Sequence, residues 1–152
     1  MPNTHTISST PDDTFAFGKR LAPRLQVGDV ILLYGGLGAG KTLLTKGILS
    51  GLGYDIDEVT SPSFALVNLY KTEKFDVYHI DLWRLDGAGD PAEMVGLGEI
   101  LDAPNSIAII EWADRLRHPL TANTVNIQIT GDGDESRTID IEEVREPWLT
   151  KA

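Results

Sequence analysis

Along the chain the spacing of apolar positions changes several times, and each change marks an element. Near the amino terminus THTISS suits a short strand, and a helix start follows it. Thr10 is placed to act as N-cap, Pro11 suits the first helical position, and Asp13 stands where a capping-box carboxylate belongs. Phe15, Gly18, Ala22 and Leu25 then recur at helical spacing, which predicts one apolar or small face. Gly28 and Asp29 end that pattern. Val30 to Tyr34, VILLY, is a continuous β-favouring run of the kind buried on both faces of a parallel sheet. A second helix is predicted from near Lys41, with Leu44, Ile48 and Leu52 at intervals of four and Gly53 as its stop.

Farther on, the strand-like stretches FALVNLY and FDVYHIDL are joined by the polar KTEK, which predicts a hairpin. Asp90 and Pro91 open another capped segment that runs to the region of Leu101. SIAIIEW is the next buried-strand candidate. At the carboxyl end VNIQIT and RTIDIE alternate on either side of GDGDES, as antiparallel arms with turn chemistry between them. No repeat, low-complexity tract or linker interrupts the chain. The expectation is a single α/β domain over residues 1–152, its mixed sheet having a parallel centre and antiparallel hairpin additions.

Composition narrows the function classes. A chain of 152 residues can bury a real core but has little room for a separate substrate domain or a large lid. With 13 Lys plus Arg against 23 Asp plus Glu, its formal charge of −10 argues against direct, extensive binding of nucleic acid. The absence of cysteine removes disulfides and thiolate metal sites, and is compatible with a reducing compartment. The opening MPNTHTISSTPDD lacks the apolar core of a secretory signal, and no apolar run approaches the length of a membrane span. A cytoplasmic protein is expected.

The strongest chemical signal is LYGGLGAGKTLL. Gly35, Gly36, Leu37, Gly38, Ala39, Gly40, Lys41 and Thr42 match G-x-x-x-x-G-K-S/T in full, after a predicted strand and before a predicted helix, which is the context a phosphate loop requires. The glycines allow torsions that point successive amides into one hollow, and the helix adds its positive end. Lys41 is read as bridging the outer phosphates and Thr42 as offering its hydroxyl to magnesium; Leu43 follows directly. A magnesium nucleotide also needs a carboxylate opposite the loop, to hold the ion or its waters. Asp81 and Glu111 each end an apolar strand, and a strand parallel to VILLY would deliver its last residue beside the loop. Both are eligible, and the sequence leaves open which of them touches the ion.

Between the loop helix and the hairpin lies TSPSF, where Pro62 stiffens the chain and presents Ser63 at a fixed angle. It is read either as a segment that senses phosphate or magnesium, or as a proline turn leading into a strand; on mechanics alone the turn is favoured. His79 is expected to be a packed or supporting residue, since no second His or Cys stands at ligand spacing. Arg84 suits either support of Asp81 or a surface ion pair. Trp83 and Trp112 are expected in the core, and Arg115 and Arg117 at the surface.

Taken in order and at these separations, LYGGLGAGKT, TSPSF, VYHIDLWRL and IIEW resemble the TsaE family of small bacterial P-loop ATPases, which serve threonylcarbamoyl modification of adenosine beside the anticodon of certain tRNAs. The resemblance runs from Thr10 to Glu111 and more loosely through the terminal hairpin. It implies a three-layer, P-loop NTPase-like domain that binds ATP and Mg2+, docks on the transferase subunit TsaD and its partner TsaB, and hydrolyses ATP to reset that complex. It assigns phosphate binding to residues 35–42, with Leu43 counted among the cofactor-binding residues, magnesium to Thr42 with Asp81 and Glu111 as further candidate ligands, catalytic roles to Lys41, Asp81 and Glu111, and a nucleotide-responsive role to the loop of Ser63. It also makes Trp112 part of the site. Three positions depart from the family pattern: Gly36 replaces a frequent acid, Ser63 a frequent threonine, and Leu43 a common hydroxyl. Ser63 keeps a hydroxyl, whereas the loss of an acid at Gly36 bears on hydrolysis more than on binding.

Two other functions share the phosphate loop. A small-metabolite kinase would need arginines gathered in a lid, and the arginines here are scattered. A guanine-nucleotide switch would carry N-K-x-D, which is missing. An inert α/β adaptor with a structural glycine turn completes the alternatives.

Overall fold

The runs and capped segments resolve into seven strands and four α-helices in the computed structural model, which describes residues 3–36, 38–59, 66–83, 89–118, 120 and 123–145. In chain order these are β1 (Asn3–Ser8), α1 (Pro11–Leu21), β2 (Val30–Tyr34), α2 (Lys41–Gly51), β3 (Val67–Lys71), β4 (Asp76–Asp81), α3 (Pro91–Met94), α4 (Leu97–Leu101), β5 (Ser106–Glu111), β6 (Thr124–Thr130) and β7 (Arg137–Val144). The sheet runs β1-β7-β6-β2-β5-β4-β3. Strands β6, β2, β5 and β4 are parallel to one another, while β7 pairs antiparallel with β6 and β1, and β3 with β4. A parallel centre with antiparallel additions is what the sequence predicts.

Strand β5 is buried along its whole length and β2 up to Leu33, as continuous apolar runs require. On one face Phe17, Leu21, Leu44 and Ile48 of α1 and α2 pack on Ile31, Leu33, Ile109 and Ile127. On the other, Leu32, Ile80 and Ile110 lie under Leu97 and the short helices α3 and α4. That second layer includes no residue of β6 or β7, whose burial alternates as in a sheet wet on one side.

Helix α1 begins as expected, with Thr10 Oγ1 accepting from the Asp13 amide at 3.2 Å and the Asp13 carboxylate accepting from the Ser9 amide at 3.0 Å. Its buried face differs from the expectation: Thr14, Phe17, Gly18 and Leu21 turn inward, and Phe15 is only half-buried. The reason is the crossing of α1 over α2. A Cβ on Gly18 would stand 2.4 Å from the Leu44 carbonyl oxygen, and one on Gly47 2.2 Å from that of Phe15. The helices therefore meet backbone to backbone, and that contact fixes the rotation of α1. The helix ends at Leu21, and Ala22 and Leu25 are buried from a 3-10 turn at Ala22–Arg24 and the residue after it.

Two further boundaries shift. The segment opened by Asp90, whose carboxylate accepts from the Ala92 amide at 3.1 Å, divides into α3 and α4 because Gly96 turns left-handed at φ 69°. Strand β3 starts at Val67, and Phe64 and Ala65 lie outside the described residues. Among the described residues no helix is long and apolar enough to cross a membrane.

The helix crossing gives a test of the packing. Helix propensity alone would make Gly47→Ala stabilising by about 1 kcal/mol, whereas overpacking at the crossing is expected to cost about 1–3 kcal/mol. Thermal unfolding of the variant should show a lowered midpoint; a raised one would mean that the helices can separate freely.

Candidate functional site at the carboxyl edge of the parallel strands

Strand β2 runs straight into the phosphate loop, and α2 starts where the motif lysine stands. Two glycines are required by geometry. A Cβ on Gly35 would lie 2.8 Å from the Ile129 carbonyl oxygen of β6, and Gly40, at φ 115°, forms the N-cap of α2 in a left-handed conformation. No side chain caps α2, so its first-turn amides remain directed at the loop hollow. Lys41 turns back into the same hollow, its Nζ donating to the carbonyls of Gly35 at 2.7 Å and Gly36 at 2.8 Å.

The acids arrive by register. Across the parallel strands Leu33 pairs with Glu111, and Glu111 with Asp81, so both carboxylates stand at one edge beside the loop. Thr42 Oγ1 lies 3.3 and 3.4 Å from the two Glu111 carboxylate oxygens. His79 Nε2 meets Glu111 Oε2 at 2.5 Å inside the protein. Asp81 instead accepts from the Trp83 amide at 2.9 Å. The expectation that both acids flank the loop therefore holds in space, and Glu111 is the one drawn to Thr42.

Burial sets the electrostatics. Desolvation, with the charge of Glu111 adding to it, raises the Asp81 pKa above the usual carboxylate value, against the Trp83 amide, His79 and Lys41. Desolvation also lowers the Lys41 pKa, with Glu111, Asp81 and Asp114 acting to raise it. The Thr42 hydroxyl and the Glu111 and Asp81 carboxylates are all hard oxygen donors. Among the described residues no three His, Cys, Asp or Glu side chains gather to cage an ion. Such a sparse oxygen set suits Mg2+, which keeps waters and takes phosphate oxygens as its remaining ligands.

Of the two tryptophans expected in the core, Trp112 is half-buried and packs against the second core layer, whereas Trp83 is exposed. Trp112 takes a left-handed conformation at φ 59°, and its ring centroid lies 4.1 Å from Lys41 Nζ. Trp83, 40% exposed, stacks on it with ring centroids 4.3 Å apart, and the Arg115 guanidinium lies over the Trp83 ring. Arg117 is exposed, as expected.

Arg137 escaped the sequence reading altogether. From the start of β7 it donates to the loop carbonyls of Ala39 at 3.1 Å and Gly38 at 3.3 Å, and to Gly133 and Glu135 of the preceding turn. No local pattern marks it, because its partners in the loop lie almost a hundred positions away. On this outer side of the loop a cleft of about 250 Å³ opens among Thr10, Gly38, Ala39, Gly40, Leu43 and Arg137. Leu37, Arg84 and the whole TSPSF stretch with Ser63 lie outside the described residues.

The family model "Threonylcarbamoyl adenosine biosynthesis protein TsaE" matches residues 8–139. The chain belongs to the TsaE family. The tRNA threonylcarbamoyladenosine biosynthesis protein TsaE of Rickettsia bellii is 32% identical over 141 residues, covering 93% of this chain and 96% of that protein. The corresponding TsaE of Bacillus subtilis is 36% identical over 129 residues, or 85% and 78% of the two chains. The crystal structure of Bacillus subtilis YdiB superimposes with a TM-score of 0.75 at 31% identity, covering 94% of this chain and 86% of its own. The fold is that of an α/β, P-loop NTPase-like protein, and the TsaE match extends through the loop, both acids and Arg137 into β7.

The raised Asp81 pKa makes a prediction about stability. A carboxyl whose folded pKa exceeds its unfolded value destabilises the fold while ionised, and the penalty fades as pH falls through the folded pKa. Asp81→Asn is therefore expected to raise the unfolding midpoint at pH 7, by an amount that shrinks as pH is lowered toward the unperturbed 3.8. A gain independent of pH would contradict the assignment.

Proposed function

We propose that this chain binds ATP with Mg2+ and hydrolyses it as an accessory protein of tRNA N6-threonylcarbamoyladenosine modification, resetting a transferase complex formed by TsaD and TsaB. The observation that carries the reading is the convergence of Lys41 Nζ, Thr42 Oγ1, Glu111 and Asp81 at the edge of three parallel strands, in a chain of the TsaE family. All 152 residues are taken as one ATPase domain.

In this reading the loop amides of residues 35–42 and the start of α2 hold the phosphates, and Lys41 neutralises their outer oxygens. Thr42 and Glu111 would hold the magnesium, which when bound would supply positive charge to neutralise the phosphates. Asp81, bonded to the Trp83 amide and not to Thr42, orients water or the ion's hydration shell. The cleft bounded by Thr10, Leu43 and Arg137 receives the nucleoside end of ATP. Ser63 and its loop respond to the terminal phosphate.

The acidic surface supports leaving the grip on tRNA to the partner complex, and a part in tRNA modification supports a cytoplasmic location. A metabolite kinase is disfavoured by the arginines. Arg24 and Arg145 are held by Glu143 and Asp29, and Arg137 by backbone carbonyls, so these three do not form a lid over phosphates.

Two measurements test the proposal. Lys41→Ala should keep its fold and lose nucleotide affinity by at least about tenfold, the worth of a charged hydrogen bond; unchanged affinity would remove the site. Hydrolysis of ATP by the wild type should rise markedly when the transferase complex is added, and Glu111→Ala should show no such rise. Equal wild-type rates with and without the complex would refute partner coupling.

A further inference from the structure

We propose that His79 is a positioning residue: it holds the Glu111 carboxylate in the one orientation that a divalent cation beside Thr42 requires. The inference rests on the nucleotide reading above and gives a specific task to His79, which the sequence marks only as a packed or supporting residue.

His79 lies two residues before Asp81 in β4, so both side chains project from the same face of the sheet as Glu111, toward α2. The ring reaches diagonally to β5, where Nε2 donates to Glu111 Oε2 at 2.5 Å. The two side chains are 0% and 5% exposed. The carboxylate is thus gripped from within the sheet by His79 and faces Thr42 Oγ1 at its other side. The Tyr70 ring, with its centroid 6.3 Å away and tilted by 35°, bounds the imidazole.

The second nitrogen is the telling feature. His79 Nδ1 is fully buried and has no hydrogen-bond partner among the described residues. A buried polar atom without a partner destabilises a fold. An apolar side chain would fill the same space without that penalty, so packing alone does not account for histidine here. What an apolar residue cannot supply is the Nε2–H that fixes Glu111. An unrestrained glutamate samples several rotamers, and a hard cation binds tightly only to oxygens already in place. Hydrogen-bond partners standing behind a metal ligand typically contribute 10–100-fold to metal affinity.

The experiment is a calorimetric titration of the full chain with a non-hydrolysable ATP analogue, at a series of Mg2+ concentrations and with none. His79→Leu is expected to raise the Mg2+ concentration for half-maximal effect by roughly tenfold or more. Its affinity for the Mg2+-free analogue should stay within about twofold of wild type. His79→Gln, which offers an N–H at similar reach, should recover most of the Mg2+ response. A His79→Leu response equal to that of wild type overturns the positioning role, as does a lowered midpoint with the Mg2+ dependence intact, the signature of packing alone. Wild type that ignores Mg2+ would instead remove the nucleotide reading beneath it. Should neither variant fold, nitrogen-15 spectra of the three wild-type histidines decide. The His79 Nε2 signal should move when Mg2+ is added to the nucleotide complex, and an unmoved signal overturns the proposal.

Discussion

Parallel, in-register pairing of β2, β5 and β4 is the constraint on which the rest of this protein depends. Because the three strands run the same way and end nearly level with one another, the loop after Tyr34, the carboxylate of Glu111 and that of Asp81 emerge at one edge. A slip of one residue would send each side chain to the opposite face of the sheet. Burial of β2 and β5 against helices on both faces forbids that slip, since it would drive Glu111 into the apolar layer around Ile110 and Leu97. Packing in the core and placement of the acids are one and the same requirement.

Gathering a lysine and two carboxylates where water is scarce is costly unless each finds partners. Lys41 is held by two loop carbonyls and the face of Trp112, Glu111 by His79 and Thr42, and Asp81 by one backbone amide. Asp81 is the least supported of the three, and its pKa is displaced upward accordingly. The left-handed backbone at Trp112 belongs to the same economy of space: it turns the ring back over Lys41 directly after Glu111 leaves the strand.

The loop is also braced from outside. Arg137 joins the carbonyls of Gly38 and Ala39 to the β6–β7 turn, so the terminal hairpin is structurally part of the wall that carries the phosphate loop. On the other side α2 is fixed by its glycine crossing with α1, where no side chain intervenes. The helix that begins at Lys41 therefore has little freedom to rotate. A rigid cradle of this kind suits the proposed role of holding phosphate and a cation in fixed relation.

Much of this was legible in the chain itself. The phosphate loop, the caps at Thr10 and Asp90, the buried runs VILLY and SIAIIE and both hairpins are encoded within short windows, because turn chemistry, capping and periodicity act between near neighbours. The eligibility of Asp81 and Glu111 followed from the same local logic, since each closes an apolar strand. Tertiary structure alone decided which acid meets Thr42, that His79 lies beneath Glu111, that the exposed Trp83 stacks on the half-buried Trp112, and that Arg137 reaches the loop. It also turned α1 so that Phe17 and not Phe15 enters the core. These contacts join residues tens of positions apart, and their geometry is set by strand register and helix crossing, which no window of sequence contains.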